Sequence, residues 1–154
     1  MKTLVAYFSA ETGRTRKAAQ AIAKLTGGEL FEIKPQEEYT KADLNWKNPL
    51  ARCNKEKMGK KDVPITEKVE NFEDYDKICL GFPIWYWGAP NVINTFCKEY
   101  DWTGKKIYIF ATSGGSNIGK TAEKLMPFVT GAEIVHAEVL KNTDELKEWV
   151  KKYE

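Results

Sequence analysis

Apolar and polar positions fall into two alternating textures along this chain. Five short apolar runs recur: TLVAYFS (3–9), ELFEI (29–33), KICLGF (77–82), KIYIFAT (106–112) and AEIVHAEVL (132–140). They are rich in β-branched and aromatic residues and bounded by glycine, asparagine or charge, as strands buried on both faces should be. Between them, apolar residues return at helical spacing. Ala18, Ile22 and Leu25 share one predicted face, and Val92, Phe96 and Tyr100 a second, after a start at Pro90. Ile118, Ala122, Leu125 and Met126 make a third stripe, and Leu146, Trp149, Val150 and Tyr153 a fourth. Thr143, followed by Asp144 and Glu145, is the expected N-cap of the last helix. A hydroxyl there accepts an unpaired backbone N–H, and acids suit the positive end of the helix dipole.

Strands alternating with helices predict an α/β fold: one parallel sheet, covered by helices on both faces. One stretch breaks the rhythm. Residues 35–62 are too long and too polar for an ordinary crossover, yet they carry Tyr39, Leu44, Trp46 and Leu50. They are expected to pack as a helical excursion, broken near Pro49. No internal repeat, linker or low-complexity tract interrupts the chain, so residues 1–154 are expected to form a single domain with a polar insertion at about 35–62.

Composition adds little and excludes more. At 154 residues, 42% apolar and 30% charged, the chain can bury a core without disulfides and is not of the disordered class. Its 24 basic and 22 acidic residues are mixed. The cluster KEKMGKKD (55–62) therefore reads as a solvated face, and no nucleic-acid partner is expected. Cys53, Cys79 and Cys97 are widely spaced, with no C-x-x-C, and the single histidine, His136, lies in an apolar run. No metal site and no disulfide framework are expected, and Cys79 reads as core filling. No signal peptide or membrane span is apparent, which predicts a cytoplasmic protein away from membranes. The lack of a long apolar surface stripe makes a monomer the expected state.

In an open parallel sheet, ligands bind outside the carboxyl ends of the strands. Three loops stand there. The first, SAETGRTR (9–16), offers the hydroxyls of Ser9, Thr12 and Thr15, a glycine that lets backbone come close, and the unpaired N–H groups of a helix start. Together these make a phosphate nest, beyond what a single helix cap requires. The second, PIWYWGAP (83–90), places Trp85, Tyr86 and Trp87 in a row where polar turn residues are usual. Three large aromatics cannot all point inward from one loop, so a flat aromatic ligand is the better reading. The third, ATSGGSNIG (111–119), has the glycines and small hydroxyls to wrap the polar edge of a heterocycle.

A different motif overlaps the third loop. GGSNIGKT (114–121) fits the triphosphate-binding pattern G-x-x-x-x-G-K-[ST]. A triphosphatase also needs a strand ending in an acidic residue to hold magnesium, and none of the five runs ends in one. The first strand already has its own phosphate loop. The match reads as accidental, with Gly119, Lys120 and Thr121 expected in the first turn of a helix facing solvent.

A phosphate clamp, an aromatic platform and a small polar loop at one sheet edge describe a mononucleotide site. On YFSAETGRT, YTKADLNWKNPLARCNKE, YDKICLGFPIWYW and FATSGGSNIG, the chain resembles the short-chain flavodoxins, in the branch with PIWW-like and TSGGS flavin loops. The resemblance covers nearly the whole chain. It implies a flavodoxin-like three-layer sandwich with strand order 2-1-3-4-5, and non-covalently bound FMN as cofactor. Residue by residue, it implies that Thr12, Gly13 and Thr15 hold the phosphate, with Ser9 and Arg14 beside them. It places Pro83, Ile84, Trp85, Tyr86 and Trp87 around the ring, and Thr112, Ser113, Gly114 and Gly115 on its pyrimidine side. One extra residue separates Ser9 from Thr12, and Arg14 stands where asparagine is common. The implied role is electron transfer between redox partner proteins, with no catalytic side chain. The alternative on the same fold is an NAD(P)H-dependent quinone or flavin reductase.

Overall fold

The structure is a computed structural model that describes residues 2–9, 13–35, 65, 67–84, 89–112, 118 and 121–153. Five strands form the sheet: β1 (Lys2–Tyr7), β2 (Glu29–Glu32), β3 (Tyr75–Pro83), β4 (Lys106–Thr112) and β5 (Glu133–Val139). Their order is β2-β1-β3-β4-β5, and every neighbouring pair is parallel. The crossovers carry α1 (Arg14–Thr26), α2 (Asn91–Lys98) and α3 (Thr121–Leu125), and α4 (Thr143–Tyr153) follows β5. The expected α/β architecture and its strand order are thus both present.

Alternation along the strands divides the core in two. Leu4, Ala6, Ile78, Leu80, Phe82, Ile107 and Ile109 face Val92, Ile93 and Phe96 of α2. Val5, Tyr7, Cys79, Tyr108 and Phe110 face Ala19 and Ile22 of α1 and Leu146, Trp149 and Val150 of α4. Because both faces of the inner strands are covered, β1, β3 and β4 read in sequence as largely apolar runs, whereas Leu30 on the edge strand β2 and Val135 on the edge strand β5 are exposed. Cys79 is core filling, as expected, and burial pushes its thiol up to about 12.

Four helix readings need correction. Leu25 is 50% exposed. The buried stripe of α1 runs through Thr15, Ala19 and Ile22, and at 100° per residue Leu25 sits about 90° from its centre. Met126 is 45% exposed, because the chain leaves α geometry after Leu125 and tightens into a 3₁₀ turn around Pro127. Tyr100 lies beyond the end of α2; its ring stacks on Phe72 at 4.2 Å, and its hydroxyl accepts the Val69 N–H at 2.8 Å. The cap of α4 is Asn142, not Thr143: the Asn142 side chain accepts the Glu145 N–H at 2.9 Å. The Glu145 carboxylate reaches back to the Lys141 N–H at 2.6 Å, a reciprocal pair close to a capping box.

The sheet's amino edge is pinned by a buried cation. Lys105 donates from Nζ to the carbonyls of Phe72 and Tyr75 and lies 4.8 Å from the Phe72 ring centre. At the carboxyl edge beyond β2, Pro35 pairs with Ile65 in an isolated antiparallel bridge. Residues 36–64, with Tyr39, Leu44, Trp46, Pro49, Leu50 and Cys53, lie outside the described residues, and so does the side chain of Tyr153.

Candidate functional site

The carboxyl ends of β1, β3 and β4 lie side by side, the last paired residues being Tyr7 with Gly81 and Pro83 with Thr112. Backbone bonds extend this edge past the strands. Phe8 N–H donates to the Gly81 carbonyl at 3.0 Å, and Ile84 N–H donates to the Thr112 carbonyl at 2.8 Å. The chains leaving β1 and β3 therefore start from fixed positions.

After β1 the chain enters α1 through Gly13, the N-cap, at φ 71°. Nothing lies within 4 Å of where a Cβ would stand there, so the left-handed backbone, not crowding, is what calls for glycine. Gly13 brings no capping side chain. Ser9 substitutes for one from across the loop, its Oγ accepting the Arg16 N–H at 3.2 Å. The first turn holds no acidic residue; it is Arg14, Thr15, Arg16 and Lys17. Cations at the positive end of a helix dipole are the reverse of the stabilising arrangement. Arg16 is offset by Glu32, which it meets at 2.6 Å, and that contact raises its pKa. What remains is a helix start whose amides, hydroxyls and charge all favour an anion. The residues present fit a phosphate.

Thr15 turns inward, 2% exposed, and its Oγ1 lies 2.7 Å from Oγ1 of Thr112, itself 7% exposed. This bond ties the first loop to the end of β4. Pro83 is partly buried at the end of β3, whereas the Ile84 side chain packs into the core on the α2 side. The structure thus gathers Ser9, Gly13, Arg14, Thr15, Pro83, Ile84 and Thr112 at one edge. Thr12, Trp85, Tyr86, Trp87, Ser113, Gly114 and Gly115 lie outside the described residues.

The sequence reading overlooked Gly81. It pairs with Phe110, and a Cβ on it would stand 2.1 Å from that ring. Its absence of side chain lets Phe110 lie across β3. An isolated glycine inside the run KICLGF was the available signal.

The triphosphate motif resolves differently from its sequence argument. β2 does end in an acid, Glu32, contrary to the premise drawn from the apolar runs. That carboxylate is held by Arg16 on an edge strand, separated from β4 by β1 and β3. Thr121 does open α3, but it is fully buried instead of facing solvent, and its hydroxyl donates to the Ile118 carbonyl. A magnesium ligand would need that oxygen turned toward the ion.

A family model described as Flavodoxin matches residues 2–153. This chain belongs to the flavodoxin family. A protein from Bacteroides eggerthii DSM 20697 is 39% identical with a TM-score of 0.87, over 97% of this chain and 96% of that one. Another from Bacteroides uniformis ATCC 8492 is 37% identical with a TM-score of 0.88, over 97% of each chain. A flavoprotein from Lactobacillus acidophilus NCFM, solved in complex with FMN, is 27% identical with a TM-score of 0.72, over 96% of this chain and 97% of that one. No curated protein matches. Among the described residues, no helix of this flavodoxin is long and apolar enough to cross a membrane.

Proposed function

We propose that this flavodoxin binds FMN non-covalently at the carboxyl edge of β1, β3 and β4 and carries electrons between redox partner proteins. The observation that carries the reading is the amino end of α1. An acid-free, cationic first turn, a left-handed glycine and the nearby hydroxyls of Ser9 and Thr15 suit one phosphate. That is why FMN is preferred over a dinucleotide. Family membership and the FMN complex of the Lactobacillus acidophilus protein support the same cofactor.

In this reading Thr12, Gly13, Arg14 and Thr15 surround the phosphate, with Ser9 beside them. Pro83 and Ile84 fix the start of the second loop, from which Trp85, Tyr86 and Trp87 flank the ring. Ser113, Gly114 and Gly115 follow Thr112 along its polar edge. Bound FMN supplies one- and two-electron redox chemistry; the protein holds it, shields it and presents it to partners. No side chain acts as a catalytic residue, and the protein works as a cytoplasmic monomer.

The test is the visible spectrum of the purified protein after incubation with FMN and gel filtration. Retained flavin bands are expected, and a folded protein that stays colourless would overturn the reading. Steady oxidation of NAD(P)H with a quinone acceptor would instead assign a reductase.

A further inference from the structure

We propose that Thr112 serves the phosphate end of the site, as a positioning residue that aims the hydroxyl of Thr15, and not the flavin ring. The inference rests on the FMN reading above and departs from the ring-edge role that the family resemblance gives Thr112.

Geometry carries it. Thr112 closes β4 two residues beyond Phe110, and alternation puts its side chain on the α1 face of the sheet. There its Oγ1 meets Thr15 Oγ1 at 2.7 Å, in a bond that both side chains shield from solvent. A hydroxyl donates one proton and accepts at two lone pairs. The bridge uses one of the pair's two protons and leaves the other for a further acceptor. When Thr112 donates, the spare proton belongs to Thr15, in the first turn of α1. An anion at that helix start selects this arrangement, because the order Thr112 to Thr15 to anion satisfies every group. Each bond in such a chain polarises the next. The bridge also removes the rotational freedom that an isolated threonine hydroxyl would lose on binding.

FMN and riboflavin differ by the phosphate alone, so their affinities separate the two ends of the site. In Thr112→Val, the dissociation constant for FMN is expected to rise by up to about tenfold, the effect of losing the one neutral hydrogen bond that aims Thr15. Riboflavin affinity should stay within about twofold of wild type. Thr112→Ser, which keeps the hydroxyl, should restore FMN binding. Thr15→Val should weaken FMN at least as much with riboflavin again spared, and Thr15→Val/Thr112→Val should be no worse than Thr15→Val alone. The melting temperature of the flavin-free protein gives a readout without flavin. Inorganic phosphate should raise it in wild type, less in Thr112→Val and least in Thr15→Val.

Equal loss of FMN and riboflavin in Thr112→Val would overturn the proposal, since Thr112 would then touch the ring or merely support the fold. Unchanged FMN affinity would overturn it too. A wild-type protein that binds neither flavin fails the FMN reading itself, which is a different failure and takes this inference with it.

Discussion

Replacing Gly81 by alanine tests how the sheet is closed beneath the site. The added Cβ would lie 2.1, 2.2 and 2.8 Å from three ring atoms of Phe110. Carbon atoms in good contact sit about 3.5–4.0 Å apart, so the ring would have to retreat by about 1.5 Å. It has little room to do so. Phe110 is fully buried and meets Trp149 edge-on with ring centres 5.6 Å apart. Trp149 is itself anchored by its indole N–H, which donates to the Ile109 carbonyl at 3.0 Å. Overfilling a packed core costs about 1–3 kcal/mol, and this overlap belongs at the upper end. Alanine for glycine recovers about 0.5–1 kcal/mol of chain entropy. The net expectation is a loss of about 2 kcal/mol, read from urea unfolding followed by tryptophan fluorescence. In a Phe110→Leu background the obstructing ring is gone, and the same substitution should cost at least about 1 kcal/mol less. Because the Thr15–Thr112 bridge stands two residues further along the same strand face, FMN affinity should fall with stability. If Gly81→Ala stays within about 0.5 kcal/mol of wild type, or costs the same in both backgrounds, the close packing of Phe110 over β3 is wrong.

Other outcomes follow from the same geometry. Gly13→Ala should destabilise by about 1 kcal/mol through its left-handed backbone, while Gly13→Asn, which tolerates that conformation, should cost much less; urea midpoints decide. Lys105→Met should lose about 2–3 kcal/mol, because two buried carbonyls lose a charged donor, and a neutral result in thermal unfolding would refute that role. Tyr75, through burial and then its bond to Glu29, and Cys79, through burial, are each pushed up to about 12. Both groups are neutral when protonated, so the unfolded chain releases their protons first. The stability they contribute is complete below about pH 9 and is lost as pH rises toward 12. Urea midpoints measured across that range should fall, less steeply in Tyr75→Phe. In Cys53→Ser, the buried thiols of Cys79 and Cys97 should ignore Ellman's reagent until the protein unfolds.

Strand positions were legible because the sheet is covered on both faces. The inner strands then had to be largely apolar, and KIYIFAT coincides with β4 residue for residue. Helix ends were less legible. Thr143 and Asn142 are both good caps in isolation, and only the bond from the Glu145 N–H decides between them. Leu25 misled because its spacing from Ile22 fits a helical face, while the direction of that face is set by what α1 packs against.

At the site, the residue types were readable and their partners were not. Thr15 and Thr112 lie 97 positions apart, and nothing local tells either hydroxyl that it will meet the other. Their meeting follows from the strand order. With β3 between β1 and β4, and with glycine at position 81, the helix that leaves β1 can reach across to β4. A larger residue at 81 would lift Phe110 toward that helix. The same small residue that closes the core thus allows the first and third loops to share a hydrogen bond, and stability and cofactor affinity become properties of one packing arrangement.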